Sequence, residues 1–103
     1  MLTLTIPPAA QRDDKSIQML SAWIAENGLH CSLKLGIFQP DGKSEDHAWG
    51  ILLADVIRHL ANAIGEERGA NPETTTENVV KSLLAELENP TSAAHGSFHP
   101  GHS

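Results

Sequence analysis

The segment from Ser44 to Ile64 constrains the fold most, because it is the longest and best-delimited helix pattern in the chain. Ser44 is a typical N-cap residue. Glu45 and Asp46 follow in the first turn, where carboxylates interact favourably with the helix dipole. The segment therefore predicts a long central helix over residues 44–65.

An unusually large share of this helix surface is apolar. A helical wheel shows a broad face of mostly large side chains, a neighbouring arc of smaller ones, and a narrow polar stripe interrupted by Ile51. The broad face holds Trp49, Leu52, Leu53, Val56, Leu60, Ala63 and Ile64; the arc holds Gly50, Ala54, Ile57 and Ala61; the stripe holds Asp55, Arg58, His59 and Asn62. A surface helix normally has a wider polar face, so we expect cover on two sides, from the sheet and the last helix or from a partner subunit.

The first half of the chain predicts strands. Residues 2–6 alternate Leu and Ile with Thr, which indicates a half-buried strand ended by two prolines. Residues 20–27 allow either the end of a helix capped by Gly28 or a hairpin that turns at Asn27-Gly28. In the hairpin, Ile24 pairs with Cys31 and one face is almost wholly apolar, so we favour strands 21–26 and 29–38.

The last helix is predicted over residues 74–88. Thr74 and Glu77 match a capping box, and Asn89-Pro90 ends the helix. The sequence thus predicts an α+β domain over residues 1–90, in which a small antiparallel sheet packs on the two long helices. Residues 91–103 contain no acid, Lys or Arg and few large apolar residues, so we expect a flexible tail.

Charge and cysteine content exclude several classes of function. The chain has 13 acidic and 7 basic residues, and the basic ones are scattered, so nucleic acid and anionic membrane surfaces are poor partners. No apolar run is long enough to span a bilayer, and the N-terminus lacks the pattern of a signal peptide. Cys31 is the single cysteine, which excludes an internal disulfide and favours the cytoplasm.

Three stretches resemble a family of small proteobacterial proteins of unknown function. They are Trp23-Ile24-Ala25, Gly28-Leu29-His30-Cys31-Ser32-Leu33, and Ala48-Trp49-Gly50-Ile51-Leu52-Leu53-Ala54-Asp55 continuing to Arg58-His59. The resemblance covers about half the chain. It implies a strand–turn–strand around Gly28 and carries no activity, ligand or catalytic residue. The histidines after residue 91 fall outside it.

The central helix carries the best candidate for a polar site. Asp55 and His59 are four residues apart, a spacing that lets the carboxylate orient the imidazole as a general base, with Arg58 beside them. No nucleophile, second acid or Gly-rich loop accompanies them, so a surface or interface polar network is the simpler interpretation.

Other candidates are weaker. His95, His99 and His102 have the donor type for Zn²⁺, Ni²⁺ or Cu²⁺, but they lie on a segment without predicted structure to fix their geometry. Cys31 is expected on the apolar strand face as a small core residue, with His30 pointing the opposite way. Trp23, on the outer face, is expected either in a dimer contact, or lying over Lys34 or under the N-terminal strand.

We therefore expect a non-enzymatic interaction or regulatory module that forms a homodimer and needs no cofactor. The rival hypothesis is a small enzyme or ligand-binding protein that uses Asp55, Arg58 and His59, with an unknown small-molecule ligand. Weak metal binding by His95, His99 and His102 is the third hypothesis.

Overall fold

A tight hairpin forms the first two strands of the sheet. The computed structural model describes residues 1–38 and 44–91, and the backbone of 94–99. Strand β1 (Leu20–Ala25) pairs antiparallel with β2 (Gly28–Lys34). The predicted hairpin is therefore confirmed, and the helix alternative for residues 20–27 is wrong.

The hairpin turns one residue earlier than the sequence predicts. Ala25 pairs with Gly28, so the two-residue loop is Glu26-Asn27 rather than Asn27-Gly28. Both loop residues have positive φ, 49° and 63°, as a type I′ turn requires. The register shifts by two residues, so Cys31 pairs with Ala22 instead of Ile24. Because side chains alternate with period two, every residue keeps its predicted face.

The predicted strand over residues 2–6 is wrong. These residues form no strand, and the short helix α1 (Pro8–Arg12) follows Pro7 directly. Alternation of apolar and polar side chains shows that a segment is suited to a sheet. To form a strand, the segment also needs a neighbouring strand whose backbone N–H and C=O groups are available for hydrogen bonds. In this fold the carbonyl of Ile6 instead accepts a hydrogen bond from Gln11 Nε2 at 2.7 Å.

The second strand is shorter than predicted. It ends at Lys34 rather than at Phe38, because Gly36 takes a left-handed φ of 89° and its N–H donates to Glu45 Oε1 at 2.6 Å. This bond ties the end of the hairpin to the first turn of the next helix. The turn expected at Pro40-Asp41-Gly42 lies outside the described residues.

Two long helices follow, which are joined by a three-residue loop and pack against each other. Helix α2 (Glu45–Arg68) begins at the predicted cap, where Ser44 Oγ accepts from the N–H of His47 at 3.3 Å. It runs three residues beyond the predicted end, to Arg68, and Gly69 then caps it in the left-handed conformation with a φ of 70°. Gly65 lies inside the helix rather than ending it.

Helix α3 (Pro72–Glu88) starts two residues before the predicted position. Asn71 is its N-cap and accepts from the N–H of Thr74 at 3.1 Å, so the Thr74–Glu77 capping box is not the start signal. Pro72 follows at the first helical position, where its missing N–H costs nothing. The end at Glu88 agrees with the prediction.

A third strand occupies part of the segment expected to be a tail. Strand β3 (Ala94–His99) pairs parallel with β2, which gives the order β1-β2-β3. Backbone hydrogen bonding needs no particular side chains, so a segment without an apolar pattern still pairs where a strand has an open edge. The α+β class is confirmed: one small sheet and one helical hairpin.

Little of the described chain is buried. Extensive contacts between described elements occur within the sheet and between α2 and α3. Among the described residues, Ala61 alone falls in the buried class, with 1% of its surface exposed. It lies on α2, in the arc of small residues that the sequence identified.

Candidate functional site

The polar stripe of α2 lies open to solvent. Arg58 Nη1 donates to Asp55 Oδ1 at 2.9 Å, and the two side chains are 72% and 58% exposed. His59 is exposed and forms no hydrogen bond or ion pair with a described residue. The carboxylate thus pairs with Arg58, three residues on, and not with His59. An exposed pair of this kind contributes at most about 0.5 kcal/mol to stability; catalysis by these three residues remains a prediction.

Cys31 occupies the sheet face that the sequence predicts. It is a free thiol, half-buried on β2 and opposite Ala22 of β1. His30 precedes it on the same strand and therefore points to the other face, where its backbone partner is Trp23. The two side chains cannot act as a nucleophile and its base.

Trp23 lies on the same sheet face as His30 and is 38% exposed. Its Nε1 donates to the hydroxyl of Ser21 at 2.7 Å, two residues back on the same strand. The N-terminal strand that was expected to cover it is not formed. The ring therefore presents apolar surface with its polar atom already satisfied.

The histidines after residue 91 are only partly placed. The backbones of His95 and His99 lie in β3, beside His30 and Lys34 of β2. His102 lies outside the described residues. In the part of the chain that the structure describes, no three His, Cys, Asp or Glu residues come together as metal ligands.

The most conspicuous surface is an apolar row on α2. We define the α2 apolar row as Leu53, Val56 and Leu60, which are 42%, 45% and 44% exposed. Their spacing places them on one helix face, the face that the sequence predicts as core. Ala61, in the neighbouring arc of small residues, is buried, whereas each residue of the row keeps more than two-fifths of its surface exposed.

The contact between the helices depends on small residues near the connecting loop. A Cβ added to Gly65 would lie 3.0 Å from the carbonyl oxygen of Ala70 and 3.3 Å from Pro72 Cγ. At Gly50, near the start of α2, a Cβ would meet no described residue within 4 Å. The chain after α2 therefore lies close to its C-terminal end, whereas among the described residues none crowds Gly50.

Other apolar side chains are also exposed. On α3 a row of large apolar side chains faces solvent: Val80, Leu83, Leu84 and Leu87 are 37%, 38%, 57% and 73% exposed. In the hairpin, Ile24 is 89% and Leu29 is 49% exposed. Near the start of α2, the indole Nε1 of Trp49 is buried without an acceptor among the described residues. A buried donor of this kind is costly to leave unpaired.

The sequence predicts that the sheet and the last helix, or a partner subunit, cover the broad apolar face of α2, but it does not show that part of this face stays exposed in a single chain. The signal was present in the width of the apolar arc on α2, which exceeds what one covering element can bury. None of the described helices is both long and apolar enough to cross a bilayer.

A comparison with models of protein families identifies the family of this chain. The model of a family described as a domain of unknown function (DUF5076) matches residues 3–91. The chain belongs to this family. The family match includes the N-terminal segment and both long helices, and it stops before β3. Comparison with curated proteins finds no match.

The fold also occurs in a solved structure. It is described as the "Structure of a putative pyruvate dehydrogenase from the photosynthetic bacterium Rhodopseudomonas palustrus CGA009". The two chains are 26% identical, the alignment covers 91% of each, and the TM-score is 0.63. The similarity therefore extends over almost the whole domain.

Proposed function

We propose that this chain is a non-enzymatic interaction module that completes its core by forming a homodimer through the α2 apolar row. One observation supports this most: among the described residues Ala61 alone is buried, while eight large apolar side chains of α2 and α3 are exposed. A domain of ordinary size normally buries such side chains, since their removal from water is the main favourable contribution to folding.

The exposed area supports a large interface. The chain exposes 8741 Å², whereas a folded monomer of 11.1 kDa exposes about 5,700 Å². The radius of gyration is 15.5 Å, against about 13 Å for a compact domain of this length. The excess of about 3,000 Å² is at least as large as the ~1,000–2,500 Å² that each subunit buries in an obligate homodimer.

A second copy suits the α2 apolar row for a simple reason. An interface with two-fold symmetry brings the same patch of both subunits together, so the patch must be complementary to itself. The row contains no charged residue, and thus no like charges oppose each other at its centre despite the net charge of −6. Every copy of the chain has the same excess of exposed surface, so association of two copies buries part of that surface on both.

Light scattering after size exclusion tests the proposal. A mass near twice 11.1 kDa at micromolar concentration is the expected result. The thermal midpoint should also rise with protein concentration, because dimerisation is coupled to folding. A mass near 11.1 kDa with a midpoint independent of concentration would overturn the proposal.

The rival hypothesis remains a small enzyme or ligand-binding protein that uses Asp55, Arg58 and His59. The name of the similar Rhodopseudomonas protein makes pyruvate one ligand to include in a thermal-shift screen of this chain. If the polar stripe binds a ligand, the shift should be present in the wild type and lost in His59→Ala. A cytoplasmic location fits the free thiol of Cys31.

Metal binding by the histidines after residue 91 is tested separately. Replacement of His95, His99 and His102 by alanine is preferable to truncation, because truncation also removes β3 from the sheet. Metal analysis of the untagged protein should give equal content in both forms if the histidines bind no metal.

A further inference from the structure

We propose that residues 2–6 of one copy add as an edge strand to β1 of the second copy, so that the two subunits exchange their N-terminal segments. This inference depends on the proposed homodimer but uses a surface separate from the α2 apolar row. It gives a role to residues 2–6, whose strand pattern forms no strand among the described residues.

The segment has the side chains of a strand and no partner. Leu2, Leu4 and Ile6 are 92%, 94% and 62% exposed. The residues between them are threonines, which favour strands. Residues 2–5 form no hydrogen bond with a described residue, and the carbonyl of Ile6 accepts only from Gln11. The family match begins at Thr3, so the segment belongs to the domain.

Strand β1 offers the matching edge. The N–H of Lys34 donates to the carbonyl of Met19 at 3.0 Å, which marks this pair as hydrogen-bonded. Hydrogen-bonded pairs alternate in an antiparallel ladder. The backbone groups of Leu20, Ala22 and Ile24 therefore point away from β2, toward the open edge of the sheet.

The two strands match in polarity as well as in length. Leu2, Leu4 and Ile6 can lie beside Leu20, Ala22 and Ile24, which form one face of β1. The threonines then lie beside Ser21 and Trp23 on the other face. Because period-two patterns agree only in such a register, the incoming strand would extend the apolar face where Ile24 is now 89% exposed.

The connection to β1 favours exchange over pairing within one chain. Residues 7–16 are held by local hydrogen bonds: Gln11 N–H donates to the carbonyl of Pro7 at 3.1 Å, and Ser16 N–H donates to that of Asp13 at 3.0 Å. Ser16 Oγ also donates to the carbonyl of Ala10 at 3.0 Å. In this arrangement residues 2–6 and the edge of β1 belong to one chain but form no hydrogen bonds with each other. A second copy supplies each with its partner.

Cysteine cross-linking tests the exchange. Leu4 and Ala22 are the central residues of the two strands, so they lie side by side whether the added strand is parallel or antiparallel. In a Cys31→Ser background, a tagged Leu4→Cys chain is mixed with an untagged Ala22→Cys chain and oxidised gently. The expected product is a disulfide-linked pair of one tagged and one untagged chain, since neighbouring strands satisfy disulfide geometry.

The control replaces Ala22→Cys with Ser21→Cys, whose side chain points to the other face; at least ten-fold less product is expected. Absence of the mixed product, or a disulfide confined to monomers of the Leu4→Cys/Ala22→Cys double variant, would overturn the exchange. Light scattering of the wild type separates the two proposals. A monomer contradicts both, whereas a dimer that shows no cross-link and is unaffected by Leu4→Asp contradicts only the exchange.

Discussion

Truncation of Leu60 to alanine should weaken the dimer while the same truncation of Ile51 should not. Leu60 is in the α2 apolar row and is 44% exposed. Ile51 is nine residues earlier, which places it on the opposite side of the helix, and it is 56% exposed. The two side chains have similar size and similar exposure, so they differ mainly in the face they occupy.

The expected magnitude follows from the exposed fraction. Complete burial of a leucine side chain is worth about 1.5–3 kcal/mol. Burial of the 44% of Leu60 that faces solvent is therefore worth at most about 0.7–1.3 kcal/mol in each subunit. Two-fold symmetry doubles this to about 1.3–2.6 kcal/mol, which corresponds to a ten- to eighty-fold increase in Kd.

Sedimentation equilibrium over a range of concentrations measures the Kd of each variant. Ile51→Ala should remain within two-fold of the wild type. Circular dichroism must show equal helix content in all three proteins, because both truncations also remove contacts within the monomer. Equal weakening by both variants, or none by Leu60→Ala, would refute the assignment of this face to the interface.

Three further predictions concern stability. Gly50→Ala should raise the thermal midpoint, since alanine favours the helix by about 0.5–1 kcal/mol over glycine and its Cβ would meet no described residue within 4 Å. Gly65→Ala should show no such gain, because its Cβ would lie 3.0 Å from the carbonyl oxygen of Ala70. Thermal denaturation of the two variants compares them directly. Hydrogen bonds from the N–H and hydroxyl of Thr91, at 3.0 and 2.7 Å, lower the pKa of Glu86. The stability that these hydrogen bonds contribute is present above the pKa of Glu86 in the unfolded chain, about 4.3, and is lost as the pH falls through the lowered pKa of the folded protein. Thr91→Val should therefore weaken the dependence of the thermal midpoint on pH, measured from pH 6 to 3. Arg58→Ala should change the free energy of unfolding in urea by less than about 0.5 kcal/mol, and a larger loss would show that the ion pair with Asp55 is not merely a surface contact.

Local signals predicted most of the secondary structure. The Ser44 cap, the hairpin and the end of α3 are all determined by residues close in sequence. The errors have local causes as well. The turn lies at Glu26-Asn27, although a glutamate with positive φ is uncommon and Asn-Gly is the usual signal. Pro72 and Asn71 start α3 more effectively than the capping box does.

Tertiary relations were harder to predict. Alternation in residues 2–6 says which side chains share a face but not whether a partner strand exists. The broad face and the arc of α2 were identified, yet sequence alone did not say that Ala61 in the arc would be buried while Leu53, Val56 and Leu60 stay exposed. At the polar stripe, the spacing allowed Asp55 to pair with either Arg58 or His59. In the structure it pairs with the guanidinium of Arg58.

The parallel pairing of β2 with β3 has a consequence for the order of folding. The hairpin closes over two residues, whereas the paired residues of β2 and β3, such as Leu29 and Ala94, are separated in sequence by both long helices. Loop closure over this distance costs about 3 kcal/mol more in chain entropy. Strand β3 should therefore join last and open first, so that its amides exchange with deuterium before those of β1 and β2.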